Sequence, residues 1–342
     1  MNKYSESSIL ILQRSKLDDV YSLSSKITCK EMWHSMPGAA QSVTQLALEL
    51  NRYIDPYTGK TQAEYTIFRK KCPLCDSENF EFLFLKHGFD HMLCNSCDLI
   101  FTLQILDNDK LGHLEEGGEG DMYGEYKEIT QVNELDKKKF EIVFEDLEKY
   151  IDIKRIFDFG SQSGTFLDWA DKKYSIIGHE FHTPLRKIAQ QKGHVVMNDN
   201  LETIKFDGEF DVITCWDYID HVLNPKEVIR NLSKYLKKGG LFFYAINNKD
   251  SLSVKMMHER SPVFIGPHHT MHYGINQLKK LMDGYELLSS ESYVSELNWL
   301  SNWLNFKNPE SGDADLMFDL LDPKKICELG MGIKLNAIFR KL

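Results

Sequence analysis

Residues 156–167 constrain this chain more than any other stretch. A short apolar run, Ile156 to Phe159, reads as a strand. It breaks at Gly160, turns through Ser161, Gln162 and Ser163, and past Gly164 enters an apolar-periodic helix. A second apolar run, Ser175 to Gly178, is followed by Glu180, twenty residues beyond Gly160. Strand, glycine turn, helix, strand and acid in this order form a nucleoside-binding α/β unit. Glycine lets backbone approach the ligand, and the carboxylate accepts hydrogen bonds from two ribose hydroxyls. The dinucleotide pattern G-x-G-x-x-G is absent, so nothing here obliges a pyrophosphate to bind.

Asp158-x-Gly160-x-x-x-Gly164 with Glu180 resembles motif I and its partner acid in class I S-adenosylmethionine (SAM) methyltransferases. Residues 210–225, running FDVITCWDYIDHVLNP, resemble the strand-four segment of that family. Leu236-Lys237-Lys238-Gly239-Gly240 resembles the turn before its strand five. Ile333 to Lys341 alternates like a half-exposed strand and fits the reversed last strand. The resemblance covers roughly residues 136–342. It implies an α/β, Rossmann-like sheet of seven strands with the last one reversed.

The seven cysteines are unevenly spread. Cys72-Pro73-Leu74-Cys75 and Cys94-Asn95-Ser96-Cys97 make C-x2-C-x18-C-x2-C, a spacing suited to tetrahedral zinc. Four thiolates leave no position for water, so the expected metal is structural. Phe80 to Phe84 and Leu99 to Phe101 read as short strands around these turns. The segment resembles the small zinc-ribbon module that precedes the methyltransferase domain in some bacterial sugar-modifying enzymes. Between Thr66 and Leu103, four basic residues face five acidic ones, which argues against a phosphate-binding ribbon.

The net charge of −10 likewise argues against nucleic acid and anionic membrane as partners. No apolar run is long enough for a membrane span, and residues 1–10 show no secretory pattern. The expected location is the cytoplasm. The sequence divides into residues 1–67 of no assigned role, the zinc ribbon at 68–110, a linker and aromatic loop at 111–135, and the methyltransferase domain at 136–342. Asp55 to Lys60 marks a turn, Phe140 to Ile151 an amphipathic helix, and residues 292–306 an inserted helix carrying Trp299 and Trp303. The helix at 292–306 would serve as an acceptor lid, core packing or a dimer contact, and a homodimer is possible.

The resemblance assigns Asp158, Gly160, Ser161 and Gly164 to the turn beside the methionine moiety of SAM and Glu180 to the ribose. It gives Phe181, Asp199 and Asn200 to adenine, and Trp216 and Asp217 to the methyl end. A helix N-cap is the competing role for Asp199. Methyl transfer is an in-line displacement with a good leaving group, so the protein must mainly align the acceptor and take its proton. His269 and His272 are the candidates for a base or substrate contact. Tyr273 completes a family pattern, and His221 is either base or structural. Metal binding at His269 and His272 is not expected, because no acidic third ligand is near in sequence. The resemblance points to a small acceptor, a nucleotide-sugar or polysaccharide precursor, methylated on oxygen, nitrogen or carbon. The alternatives are a macromolecular acceptor docked by the zinc module, and a noncatalytic SAM-fold binding protein.

Overall fold

The computed structural model describes residues 10–11, 53–107, 130–261, 263–264, 269–294, 321 and 323–342. Its strands are β1 (Leu10–Ile11), β2 (Thr66–Phe68), β3 (Phe80–Lys86), β4 (Phe89–Cys94), β5 (Ile100–Thr102), β6 (Gln104–Leu106), β7 (Arg155–Phe159), β8 (Ser175–His179), β9 (Val196–Met197), β10 (Phe210–Trp216), β11 (Leu236–Asn247), β12 (Met271–His272), β13 (Tyr285–Val294) and β14 (Lys334–Lys341). Its α-helices are α1 (Thr130–Leu147), α2 (Thr165–Ala170), α3 (Thr183–Gln191), α4 (Pro225–Ser233), α5 (Leu252–Met257), α6 (Ile275–Leu281) and α7 (Pro323–Glu328).

The main sheet runs β1-β13-β14-β11-β10-β7-β8-β9. β7 pairs in parallel with β8 and β10, and β10 in parallel with β11. β14 lies antiparallel to both β11 and β13, so it is the reversed strand. This is a mostly parallel, Rossmann-like sheet with β14 reversed. It has eight strands where seven were expected, because Leu10 and Ile11 pair with Val294 and Tyr293 at one edge. A two-residue edge strand carries too short a periodic signal to be read from sequence.

Helices on both faces make the parallel strands apolar on both sides. Ile156, Phe157 and Phe159 of β7 and Phe210, Val212 and Ile213 of β10 are fully buried. Thr214 and Asp158 break this pattern and point to a reason beyond packing. On one face, Phe140, Val143, Phe144 and Leu147 of α1 pack with Phe166, Leu167 and Ala170 of α2. Their spacing in α1 follows the helical repeat. The glycine pair at 239–240 lies inside β11 rather than before it. The ladder there jumps from Phe210↔Leu236 to Val212↔Leu241, and Gly239 takes φ +76° to accommodate the extra residues.

The cysteine-bearing segment forms a second sheet, β12-β5-β4-β3. β12 comes from the C-terminal half of the chain and pairs antiparallel with β5, Met271 opposite Phe101. Cys72, Leu74, Met92, Leu99 and Phe101 share one apolar cluster with Phe157, Ile213, Met271 and Leu278. Polar ties reinforce the seam. Arg69 donates to the carbonyls of Thr102 at 3.0 Å and Thr270 at 3.3 Å, and Gln277 donates to the Cys97 carbonyl at 2.7 Å. The turn at Asp55 closes as expected, its carboxylate accepting from the Tyr57 and Thr58 amides. Among the described residues, no helix is long and apolar enough to cross a membrane. Of the linker and aromatic loop expected at 111–135, residues 130–135 instead open α1 and the rest lie outside the described residues, as do residues 295–306 of the helix expected at 292–306. Ser292 to Val294, expected to open that helix, instead end β13.

Candidate functional site

The four cysteines converge. Cys72 Sγ lies 3.6 Å from Cys97 Sγ, and Cys75 Sγ lies 3.5 Å from Cys94 Sγ. All four sulfurs fall within 4.8 Å of one another. A disulfide needs about 2.05 Å. Tetrahedral zinc with bonds of about 2.3 Å sets its sulfurs about 3.8 Å apart, so the arrangement fits that ion. Each turn closes the same way. The Asp76 amide donates to the Cys72 carbonyl and the Asp98 amide to the Cys94 carbonyl, with both aspartates left-handed at φ +59° and +57°. Burial pushes the Cys72 thiol up to about 11. Burial would also raise Cys94, but the Ser96 amide and the neighbouring thiols outweigh it and hold Cys94 below the ordinary value.

A cleft opens at the carboxyl ends of β7, β10 and β11, where an open parallel sheet places its ligands. The walls include Asp158, Gly160, Ser161, Trp216, Asp217 and Asn336. Asp158 is 1 % exposed. One carboxylate oxygen accepts from the Thr214 hydroxyl at 2.7 Å, and the other is buried with no partner. Burial pushes its carboxyl up to about 7. An unpartnered buried carboxylate oxygen facing a cleft is the receptor an ammonium group requires.

The glycine turn is left-handed three times, at Gly160 (+84°), Gln162 (+50°) and Gly164 (+86°). A Cβ on Gly160 would lie 2.4 Å from the Tyr218 ring, so only glycine fits there. Gly164 caps α2 and packs against Ala189 rather than lining the cleft. Glu180 is 3 % exposed and braces the turn, accepting from the Gln162 amide at 2.8 Å and the His182 amide at 2.7 Å. Burial raises its pKa. Two oxygens with one partner each keep lone pairs for a diol. The residues therefore fit the methionine and ribose portions of SAM.

Glu180 touches the cleft only through Gln162, and the expected adenine residues lie outside the cleft walls as well. Phe181 is 48 % exposed, and Asp199 and Asn200 are exposed on the turn after β9. None lines the cleft that Asp158 enters. The local turn here is capped by Asn200, whose side chain accepts from the Glu202 amide at 2.8 Å, and not by Asp199. At the other end, Asp217 is held at φ +53° and accepts from Lys334 Nζ at 2.5 Å. Trp216 packs on Phe140, Phe166 and Phe243, and its indole N–H is buried without a partner.

The four candidate catalytic residues separate into two groups. His272 and Tyr273 are 2 % and 1 % exposed and do not line the cleft. The His272 ring stacks on His91 with centroids 5.4 Å apart, and the Tyr273 hydroxyl donates to Met271 sulfur. His269 and His221 do not line the cleft either, but they meet each other, with ring centroids 4.7 Å apart. His269 Nδ1 bonds the buried carboxylate of Asp220. Burial alone would lower the His269 pKa, but Asp220 outweighs it and raises it. Burial would raise the Asp220 carboxyl, but the charges of His269 and His221 hold it far below the carboxylate range. The acidic partner missing from the sequence around His269 is thus Asp220, 49 residues upstream. Sequence reasoning missed Asp220 in this role, as well as Tyr218 and Asn336. Thr214 and Asn336, polar residues inside apolar strands, were the readable signals.

The chain is similar to ubiquinone biosynthesis O-methyltransferase of Erwinia tasmaniensis, 30% identical over 88 residues, 25% of this chain and 34% of that protein. It is 32% identical to an uncharacterised protein of Methanocaldococcus jannaschii over 138 residues, 40% of this chain and 64% of that one. The chain thus spans less than two thirds of the length of each. The solved plantazolicin methyltransferase BpumL is 13% identical at a TM-score of 0.44, covering 69% of this chain and 99% of that one. Residues 126–288, which supply most of the cleft, match the family model described as a methyltransferase domain.

Proposed function

We propose that this protein is a SAM-dependent methyltransferase acting on a small acceptor, with one structural zinc held by Cys72, Cys75, Cys94 and Cys97. The single observation that carries the reading is the unpartnered buried oxygen of Asp158 beside the left-handed Gly160 turn. It lies in a segment that matches a methyltransferase domain. Asp158 receives the amino group of SAM, Glu180 its ribose, and Phe181 with Asp199 or Asn200 its adenine. Trp216 and Asp217 border the methyl end. When bound, SAM supplies an electrophilic methyl group on sulfonium. The chain's own residues align the acceptor and exclude water, and the cluster of Asp220, His221 and His269 assists removal of the acceptor's proton.

The partial likeness to O-methyltransferases supports an oxygen acceptor. The cysteine module supports a nucleotide-sugar or polysaccharide precursor through its resemblance to sugar-modifying enzymes. Calorimetry with S-adenosylhomocysteine, followed by label transfer from SAM to nucleotide-sugars, phenols and amines, tests the reading. Binding with micromolar affinity and transfer to one class are expected. Absence of cofactor binding would make the protein a noncatalytic relative. One observation favours a second reading. β3, an edge strand among the described residues, exposes Phe82, Leu83 and Leu85. Such an edge suits a protein acceptor, and label transferred to protein rather than to small molecules would establish it.

A further inference from the structure

We infer that Asp220, His221 and His269 form a second metal site, one that takes a divalent first-row transition ion beside the methyl-transfer cleft. The carboxylate and both imidazoles each offer one ligating atom, and these atoms all lie within 4.8 Å of one another. His221 Nε2 stands 3.8 Å from Asp220 Oδ1. Two ligands about 2.1 Å from one ion are that far apart at an angle of about 130°. Asp220 Oδ1 is buried and accepts no hydrogen bond, while Oδ2 meets His269 Nδ1. The Oδ1 of a buried carboxylate, left without a hydrogen-bond donor, is a position that a cation can take.

The elements hold the ligands in place. Asp220 and His221 are adjacent on the 3-10 turn Ile219–His221, directly after β10 and Asp217. His269 is brought in by its neighbour Thr270, whose amide donates to the Asp220 carbonyl at 3.0 Å and whose hydroxyl donates to it at 3.2 Å. The Tyr218 ring lies parallel to His221, at 6° between planes, and orients it. Two imidazole nitrogens and one carboxylate oxygen suit zinc, manganese or iron better than calcium or magnesium, and three protein ligands leave positions open. Asp220 and His269 are buried or nearly so, whereas His221 is 31 % exposed at its side chain and opens the site to solvent.

The ion's function rests on the methyltransferase reading, but its binding does not. A cation next to Asp217 would favour hydroxyl acceptors, whose proton it makes easier to lose to solvent, over amines, whose lone pair it would occupy. The full chain, with zinc in its four-cysteine site, is titrated with Co2+ and followed by visible absorption, with S-adenosylhomocysteine binding measured on the same samples. One Co2+ per chain with weak d–d bands and no thiolate charge-transfer band is expected. His269→Gln and Asp220→Asn should weaken Co2+ at least tenfold while S-adenosylhomocysteine still binds. Thiolate bands, no saturable Co2+, or Co2+ affinity unchanged in both variants would overturn the site. If either variant fails to fold, His221→Gln and the wild-type stoichiometry decide it. Co2+ binding without S-adenosylhomocysteine binding would sink the methyltransferase reading and leave the ion site standing.

Discussion

Asp158 carries a sharp expectation. Its carboxyl is pushed up to about 7 by burial, against about 3.9 in an unfolded chain. An acid with a raised folded pKa holds its proton more tightly in the folded state, so stability should fall as pH rises from about 4 to 7. Cofactor binding runs the other way, because an ammonium group prefers the ionised carboxylate. S-adenosylhomocysteine affinity should therefore rise as pH passes through about 7, and Asp158→Asn should flatten that rise. A calorimetric pH series on both proteins checks it, and an equal slope in the variant would remove Asp158 from the amino-group role. Glu180→Ala should weaken the same ligand by about 10–100-fold, the loss expected when charge-assisted hydrogen bonding worth about 1.5–3 kcal/mol in total is replaced by water. Glu180→Ala also frees the Gln162 and His182 amides, so the fold must be monitored by circular dichroism. Gly160→Ala should abolish binding through the Tyr218 clash, and the double variant with Tyr218→Ala should recover part of it. No recovery would place the defect in the backbone at φ +84°.

Among the elements, those with a strong period and a single environment were legible in the sequence. β7, the turn at Gly160 and β10 lie where apolar runs and glycine breaks place them, because a strand buried on both faces leaves no other reading, and β14 lies where its alternation places it. The C-x2-C pairs were legible for the same reason, four sulfurs having few other uses at that spacing. What could not be read depends on contacts far apart in the chain. β4 alternates poorly, as Phe89 to Met92 are all buried between the module and the α/β sheet. β12, two residues long, exists only because β5 offers it an edge. Asp220 meets His269 across 49 residues of chain. These long-range pairings make the module part of the domain's core, and that has a measurable consequence. Removing the metal by chelation, or by Cys72→Ser, should lower the melting temperature of the whole protein by about 5–10 °C in one transition. A loss of about 3–5 kcal/mol at roughly 2 °C per kcal/mol gives that range. Two separate calorimetric transitions would show that the module folds on its own despite the shared cluster.

Across the whole molecule, the seam between module and α/β unit buries two stacked histidines. His91 on β4 and His272 on β12 stack across it, with Phe84 and Phe264 around them. Both Nε2 atoms are buried without a partner. Burial pushes His91 down to about 4 and holds His272 well below the ordinary imidazole value, and neighbouring Lys86 lowers both as well. His87 also lowers His91 and His269 also lowers His272, while Asp90 and Asp220 oppose these effects. The folded protein therefore keeps both imidazoles neutral where the unfolded chain, with a pKa near 6.5, takes up protons. A base with a depressed folded pKa contributes stability above its unfolded value and loses it as pH falls. Between pH 6.5 and 4, His91 alone should cost about 2–3 kcal/mol, since a tenfold difference in proton affinity corresponds to about 1.4 kcal/mol. Guanidinium unfolding across that range should show the midpoint dropping steeply with acid. His91→Phe keeps a flat ring against Phe84 and Phe264 but cannot take a proton. It should lose the bond from the ring to the Phe89 carbonyl and so start less stable at pH 7. Its midpoint should then fall more slowly than that of the parent protein, so the two curves converge near pH 5. If the curves stay parallel, the acid sensitivity lies elsewhere and the histidine stack is only packing.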